Sequence, residues 1–191
     1  MASKAENVAG MASRMRLNLS ERELAEITAT VTATGSFAPE PETVAQFRAG
    51  ALTRGMLTFY LPWLWRYRQD DSRVPNDVWR AMFEQVEYTE DMVVRDRPRR
   101  TFRAYRGATT ENREGLSWSL DVEQAKYFAR SRQAPGARAR VWVTNIPPER
   151  VFARFTDGWE KEVTADVRGL DIRPLEDERL LPRPRNWPWW R

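Results

Sequence analysis

The hydrophobic pattern of the chain changes period part-way along, and no other feature constrains the fold as strongly. Before the charged stretch Arg95–Arg100, apolar residues recur at the three- and four-residue spacing of amphipathic helices. From Thr101 onwards they alternate with polar residues, which is the period of half-buried strands. The chain is therefore predicted to be α+β, with a helical N-terminal region and a strand-rich C-terminal region.

The N-terminal half carries signals for three helices. Ser20 and Glu23 form a capping-box pattern at the start of the first. The second is predicted from Pro41 towards Tyr60, with a break or kink at Pro62, and the third follows Pro75. The predicted organisation is 1–18 disordered, 19–97 helical, 98–176 a strand-rich core, and 177–191 a tail rich in Pro and Trp.

The core is predicted to hold a short helix, Asp121 to Arg130, in which Gln124 completes a capping box with Asp121. The alternating segments that predict strands are 101–106, 115–120, 139–145 and 160–167, with a weaker one at 169–174.

Two residue types are absent, and their absence narrows the possible chemistry. The chain has no Cys, which excludes disulfides and thiol nucleophiles, and no His, which excludes a Ser-His-Asp triad and the usual zinc sites. Acid–base chemistry is therefore expected mainly from carboxylates, with Tyr or Lys as minor candidates. No stretch approaches 18 uncharged apolar residues, and the N-terminus lacks the apolar centre of a secretory signal, so neither a transmembrane segment nor a signal peptide is expected.

Charge is distributed unevenly. The net charge is +4, but residues 1–97 carry 12 basic and 14 acidic side chains, whereas residues 98–191 carry 19 basic and 13 acidic ones. A positive excess in the C-terminal region suits an anionic ligand or partner. A basic nucleic-acid-binding module therefore remains one interpretation of this region.

Glu160 and Glu162 form the most informative pattern in the C-terminal region. In a strand, the side chains at i and i+2 share one face, so both carboxylates are expected to point the same way, with Cα atoms about 6.6 Å apart. Adjacent like charges repel unless cations or hydrogen-bond donors intervene. The pair favours a functional role, although a solvated strand face is the commoner origin of such a pattern.

Two further patterns place polar groups on strands. Ser117 and Ser119 share a face of the second strand, where hydroxyls can orient a carboxylate or a ribose; an ordinary edge strand is the alternative. Arg106 shares a face with Phe102 and Ala104, where a guanidinium is costly to bury without an anion such as phosphate or carboxylate. A structural Arg–Glu pair would serve equally well.

The order of these patterns resembles the arginine–serine–glutamate type of the ADP-ribosyltransferase superfamily, of the bacterial or phage mono-ADP-ribosyltransferase kind. Arg106 matches the arginine of the family, Ser117-Trp118-Ser119 its Ser-Thr-Ser, and 155–159 its turn-turn loop before the catalytic glutamate. The match covers 101–167, and Trp118 departs from the usual Thr. The resemblance implies NAD as co-substrate, no metal, and two small mixed sheets around an NAD cleft.

The resemblance also implies a role for each matched residue. Glu162 stabilises the cationic ribose, Ser117 orients Glu162 and the ribose, and Arg106 binds the NAD phosphates or fixes the framework of the site. Glu160 engages the acceptor. In this family a Glu two residues before the catalytic Glu accompanies arginine modification, so mono-ADP-ribosylation of a protein arginine is predicted. The predicted cofactor contacts are Arg106, Gly107, Ser117, Trp118 and Ser119, and the predicted substrate contacts are Phe155 and Trp159.

Other functions remain open at this level. Water as acceptor would make the protein an NAD glycohydrolase, and a base as acceptor would make it a nucleic-acid ADP-ribosyltransferase. A non-enzymatic protein could bind nucleic acid through the basic region and the tryptophans of 187–190, or an inactive relative could serve assembly. A transferase of this kind is expected to act in the cytoplasm, or as a toxin or effector delivered into a target cell, with no membrane partner.

Overall fold

A computed structural model describes residues 2–37, 39–68, 74–131, 138–157 and 161–180, with side chains up to Asp177 in the last range. The fold is mixed α/β and divides into two compact units, Met1–Arg95 and Asp96–Arg191. In the part of the chain so described, no helix is both long enough and apolar enough to cross a bilayer.

The described part of the first unit contains five helices, of which α4 is the most buried. Their bounds are α1 (Lys4–Arg14), α2 (Glu21–Thr34), α3 (Glu40–Arg48), α4 (Arg54–Tyr67) and α5 (Asn76–Phe83). Helix α4 contacts α2, α3 and α5. Near its end, the ring of Trp65 meets those of Trp79 and Phe83 edge-on, at centroid distances of 5.3 Å. The core of this unit therefore forms around α4.

Helix α1 corrects the prediction that residues 1–18 are disordered. Ser3 caps this helix by accepting a hydrogen bond from the backbone N–H of Glu6, and the Glu6 side chain accepts from the backbone of Ser3. Val8, Ala12 and Met15 follow at helical spacing and are buried, and α1 packs against α2. The prediction was wrong because the small side chains of this segment form only a weak hydrophobic stripe, which becomes stable through tertiary packing.

The second predicted helix is two helices, and the helix is not broken at Pro62, where a break or a kink was predicted. Gly50, with a φ of +67°, follows the end of α3, and Thr53 caps α4 by accepting from the backbone N–H of Met56. Helix α4 continues through Pro62. Nine residues of α4 are buried, and their packing offsets the one backbone hydrogen bond that proline removes.

A short hairpin, which the sequence pattern did not predict, ends the first unit. Strands β1 (Thr89–Glu90) and β2 (Val93–Val94) pair antiparallel. Asp91 and Met92 form the turn with φ values of 48° and 67°, the conformation that two-residue hairpins need and that Asn-Gly usually signals. Asp-Met carries no such signal, so the hairpin was missed.

The second unit consists, in its described part, of strands, one α-helix and two short 3-10 helices. Its elements are β3 (Phe102–Ala108), β4 (Ser117–Ser119), α6 (Val122–Ser131), β5 (Arg140–Ile146), β6 (Val151–Phe155), β7 (Glu162–Ala165), β8 (Arg173–Pro174) and two 3-10 helices, Pro148–Arg150 and Leu175–Leu180. The predicted helix and strands are confirmed, with shifted or shorter bounds, and β6 was missed. The second 3-10 helix occupies the start of the predicted tail, whereas 181–191 lies outside the described residues.

The strands of this unit follow one continuous hydrogen-bonded order, β6-β7-β4-β3-β5-β8, and their pairings are antiparallel. The expectation of two small mixed sheets is therefore not confirmed. The reason is β4, which pairs with β3 on one side and with β7 on the other and so joins the two halves. This order makes neighbours of the three strands that carry Arg106, the serines and Glu162.

Helix α6 packs closely on β3, and Gly107 permits that approach. A Cβ atom at Gly107 would collide with the backbone carbonyl oxygen of Ala125 and the backbone nitrogen of Ala129. The contact encloses a small apolar core that consists of Tyr105, Ala125, Ala129, Val141 and Val143. Gly107 is therefore required for the packing of α6, a role distinct from the cofactor contact predicted for it.

Candidate active site

Glu162 begins β7 in a buried position. It is only 6% exposed, and its direct partners in the sheet are Ser119 on β4 and Phe155 on β6. The hydroxyl of Thr164, two residues along the same face, lies 3.5 Å from the carboxylate and donates to it. A carboxylate is costly to bury unless polar groups surround it, so the sheet provides a defined polar position for this side chain.

The two serines occupy successive positions on the face that carries Glu162. Ser119 is directly opposite Glu162, and Ser117 is opposite Thr164. Directly opposite residues have the closest side chains in an antiparallel pair. Of the two serines, the register therefore places Ser119 nearer to Glu162, whereas the resemblance assigned the orienting role to Ser117.

Trp118 lies between the two serines and, by strand alternation, on the opposite face of β4. Its side chain is 1% exposed, and its indole Nε1–H donates to the carbonyl oxygen of Gly115 at 2.8 Å. Trp118 was predicted to contact the cofactor, but its side chain lies on the opposite side of the strand from the two serines. The tryptophan is instead packed in the core of the unit.

Arg106 binds backbone carbonyl groups. Its Nε–H donates to the carbonyl oxygen of Asn112 at 3.0 Å, and its Nη1–H donates to that of Ser117 at 2.6 Å. Tyr105 is the direct partner of Ser119, so alternation along β3 places Arg106 on the opposite face from the serines. The guanidinium thus ties the loop after β3 to the first residue of β4.

Gly115 makes room for that guanidinium. A Cβ atom at Gly115 would overlap the Nη2 and Cζ atoms of Arg106. Because the arginine fills the space where a side chain would stand, Gly115 and Arg106 depend on each other. Gly115 was not singled out in the sequence because its partner is brought close only by the fold.

Lys161 interrupts the strand that was predicted to start at Glu160. Its φ is +44°, in the left-handed region, and β7 starts one residue later at Glu162. The alternation rule that placed Glu160 and Glu162 on one face needs extended backbone between them, which Lys161 does not provide, so alternation no longer predicts the face of Glu160. Glu160 and Trp159 themselves lie outside the described residues.

Two further groups belong to the site and were not assigned roles from the sequence. Tyr105, 1% exposed, is the direct sheet partner of Ser119, and the Thr164 hydroxyl contacts Glu162. Phe155, predicted to touch substrate, is 5% exposed and pairs directly with Glu162. Alternation could indicate the face of each residue, but only the strand register shows which residues meet.

Comparisons with known proteins add no relative to this picture: no family model, curated protein or solved structure gives a significant match to the chain. Among the residues that the structure describes, no group of three or more His, Cys, Asp and Glu side chains could hold a metal ion. A functional proposal therefore depends on the chemistry of the residues around Glu162.

Proposed function

We propose that the protein is a mono-ADP-ribosyltransferase that transfers ADP-ribose from NAD to an arginine side chain of a protein. The observation that carries the proposal is that the buried Glu162 carboxylate on β7 lies directly opposite Ser119 on β4. Arg106 holds the backbone of β4 in place through its hydrogen bond to the carbonyl oxygen of Ser117. Arg106, the serines and Glu162, which are far apart in the chain, lie on three adjacent strands, with Arg106 on the face opposite that of the serines.

The proposed reaction has a positive charge to stabilise. The bond between the ribose C1′ and the nicotinamide nitrogen breaks, and its electron pair leaves with nicotinamide, which becomes neutral. The ribose then carries the positive charge as an oxocarbenium-like species. A preorganised carboxylate beside such a charge acts more strongly in a buried site than in water. Glu162 is suited to this role because it is buried and its strand partners are defined.

The face around Glu162 also suits a ribose. Ser117, Ser119 and Thr164 provide three hydroxyl groups on the same face of two adjacent strands. Hydroxyls donate and accept hydrogen bonds, so they can bind the ribose hydroxyls and orient the carboxylate together. In this proposal Ser119 orients Glu162 from the adjacent strand, and Ser117 contacts the ribose.

Arg106 and Gly107 support the site from the adjacent strand. The hydrogen bonds of Arg106 to backbone carbonyl groups favour the framework role over the phosphate-binding role, the two possibilities that the resemblance left open. Gly107 contributes by letting α6 pack on β3. The proposal therefore gives the first motif a structural role and leaves the chemistry to Glu162 and the hydroxyls.

The acceptor half of the proposal depends on Glu160. A guanidinium stays protonated because its pKa lies far above neutral pH, so its nitrogen needs a carboxylate to orient it and to remove a proton as the new bond to C1′ forms. Glu160 precedes Glu162 by two residues, as in family members that modify arginine. Transfer to arginine thus conserves atoms: the acceptor gains ADP-ribose and releases one proton.

The proposal is tested by incubating the protein with NAD and agmatine, a small guanidine acceptor, and quantifying products by mass spectrometry. We expect nicotinamide and ADP-ribosyl-agmatine in equal amounts. Glu162→Gln should lower the rate by about a hundredfold or more, the usual effect of removing one transition-state-stabilising group. Glu149→Gln, at an exposed position of the same unit, is the matched control and should retain full activity.

Other outcomes would redirect or overturn the proposal. Free ADP-ribose as the main product in the presence of agmatine and protein acceptors would indicate an NAD glycohydrolase. ADP-ribose found attached to added RNA or DNA would indicate a nucleic-acid acceptor. No consumption of NAD, or equal consumption by the wild type and Glu162→Gln, would refute the enzymatic assignment.

A further inference from the structure

Lys161 has an unusual backbone for its residue type. Its φ of +44° lies in the left-handed region, which residues other than Gly, Asn and Asp rarely adopt. It immediately precedes Glu162, the buried carboxylate of the site. Backbone strain of this kind persists only where the surrounding structure holds it, and it is concentrated at functional sites.

The contacts that hold Lys161 come from the residues just after Ser119. The backbone N–H of Leu120 donates to the carbonyl oxygen of Lys161 at 3.0 Å. The Lys161 Nζ lies 3.7 Å from the Asp121 carboxylate, and the backbone N–H of Asp121 donates to the Ser119 hydroxyl oxygen at 3.0 Å. One short segment therefore contacts both the serine and the residue before the glutamate.

We propose that Lys161 is a positioning residue: its left-handed backbone turns the chain into β7 so that Glu162 enters the sheet directly opposite Ser119. A shift of one residue in the register would turn Glu162 to the other face of the sheet. The catalytic consequence rests on the proposed transferase function, whereas the structural consequence does not.

The backbone conformation matters more than the charge of Lys161 in this proposal. The side chains of Lys161 and Asp121 are 58% and 33% exposed, at a separation of 3.7 Å, and ion pairs of this kind contribute little. The hydrogen bond from Leu120 and the left-handed φ both depend on the backbone. A side chain that tolerates this φ should therefore replace lysine.

Three substitutions separate the effect of the Lys161 backbone conformation from the effect of its charge. Lys161→Asn and Lys161→Val both remove the ammonium group, but Asn tolerates the left-handed region and a β-branched residue does not. Asp121→Asn removes the ion pair and keeps a side chain that caps α6 well. The readouts are kcat and KM for nicotinamide release, and the hydrogen exchange of the Leu120 amide, which needs no activity.

We expect Lys161→Asn and Asp121→Asn to keep kcat within about threefold of the wild type, since the exposed ion pair is weak. Lys161→Val should lower kcat by roughly tenfold or more while KM for NAD stays within about twofold, because small displacements of a catalytic group are costly. The Leu120 amide should exchange about tenfold faster in Lys161→Val alone, as expected for local opening. Far-UV circular dichroism should be unchanged in all three.

The outcomes distinguish this inference from the proposed function. Equal kcat and equal Leu120 exchange in Lys161→Asn and Lys161→Val would overturn the positioning role, even in a protein that cleaves NAD. This holds whether both variants behave like the wild type or both lose activity equally. In the second case the lysine side chain, and not its backbone conformation, would be what matters. A wild type without NAD cleavage would refute the transferase, and the exchange of the Leu120 amide would still decide the backbone role.

Discussion

Substituting Gly107 by alanine should destabilise the second unit, since α6 contacts β3 at this glycine. The added Cβ would overlap backbone atoms of Ala125 and Ala129 and lie 3.0 Å from the carbonyl carbon of Phe128. Backbone atoms in a helix cannot rotate away as the end of a side chain can. The helix must therefore move off the strand by on the order of an ångström, which weakens its dispersion contacts.

The size of the effect follows from overpacking. Forced extra methyl groups cost about 1–3 kcal/mol, and more where backbone has to shift, so about 3 kcal/mol is expected here. The second unit has about 100 residues. A domain of that size loses about 4–8 °C per kcal/mol, which predicts a melting temperature of this unit lower by roughly 12–24 °C. The buried contacts of Ala125 and Ala129 with Tyr105 and Val143 would be the ones weakened.

Differential scanning calorimetry measures this loss, and hydrogen exchange locates it. The amides of α6 should exchange faster while those of α2 stay unchanged, because the effect is local to the second unit. Gly10→Ala is the control: its Cβ would meet only Arg14 Nη1, at 3.6 Å, and alanine within a helix should stabilise by up to about 1 kcal/mol. A Gly107→Ala protein as stable as the wild type would refute the packing argument.

Three further predictions follow from the site and from the first unit. Ser119→Ala should lower kcat for NAD cleavage more than Ser117→Ala does, because Ser119 is directly opposite Glu162; the reverse order in steady-state kinetics would contradict the register argument. Gly115→Ala should displace the Arg106 guanidinium and lower kcat with little loss of stability, because a flexible side chain can move; unchanged kinetics would argue against the framework role. In the first unit, the Thr53 hydroxyl and then the Ser20 backbone and side chain hold the pKa of Glu23 below its ordinary value. This lowered pKa contributes stability above the unfolded-state pKa that is lost as the pH falls through the folded-state pKa. Glu23→Gln should therefore lower the melting temperature at neutral pH and make no difference in strong acid, and a loss that is independent of pH would contradict this.

The secondary structure of the second unit could largely be predicted from periodicity. Alternation found β3, β4, β5 and β7, and the capping pattern at Asp121 found α6, although the Asp121 backbone N–H donates to the Ser119 hydroxyl and not to Gln124, so the predicted capping box is not formed. Strand β6 was missed although Val151, Ala153 and Phe155 alternate, because apolar Phe152, which is also buried, obscures the alternation. Alternation is a local property, so it can be detected wherever one face of a strand is buried.

The arrangement of the site could be predicted only in part. The sequence indicates that Arg106, the serines and Glu162 lie on strands, but the pairing of Ser119 with Glu162 depends on which distant strands become neighbours. The left-handed backbone of Lys161 carries no sequence signal, since lysine is not a residue that this conformation favours. Gly107 and Gly115 likewise acquire their roles from helix and arginine atoms that approach only in the fold.

In the first unit, local sequence signals were present but predicted the wrong extent of the helices. Pro62 would interrupt an exposed helix, yet α4 continues through it because nine of its residues, Pro62 among them, are buried. The small residues of α1 seemed too polar to order, yet Val8 and Ala12 are buried. In both cases tertiary packing outweighs local propensity.

The central claim, that the Glu162 carboxylate drives cleavage of the bond between ribose and nicotinamide, is tested most directly by nicotinamide release in a single turnover with enzyme in excess over NAD. The wild type should release nicotinamide, Glu162→Gln should release it about a hundredfold or more slowly, and Glu160→Gln should release it at a rate close to that of the wild type while transferring less to arginine. Wild-type release that is no faster than that of Glu162→Gln would contradict the account.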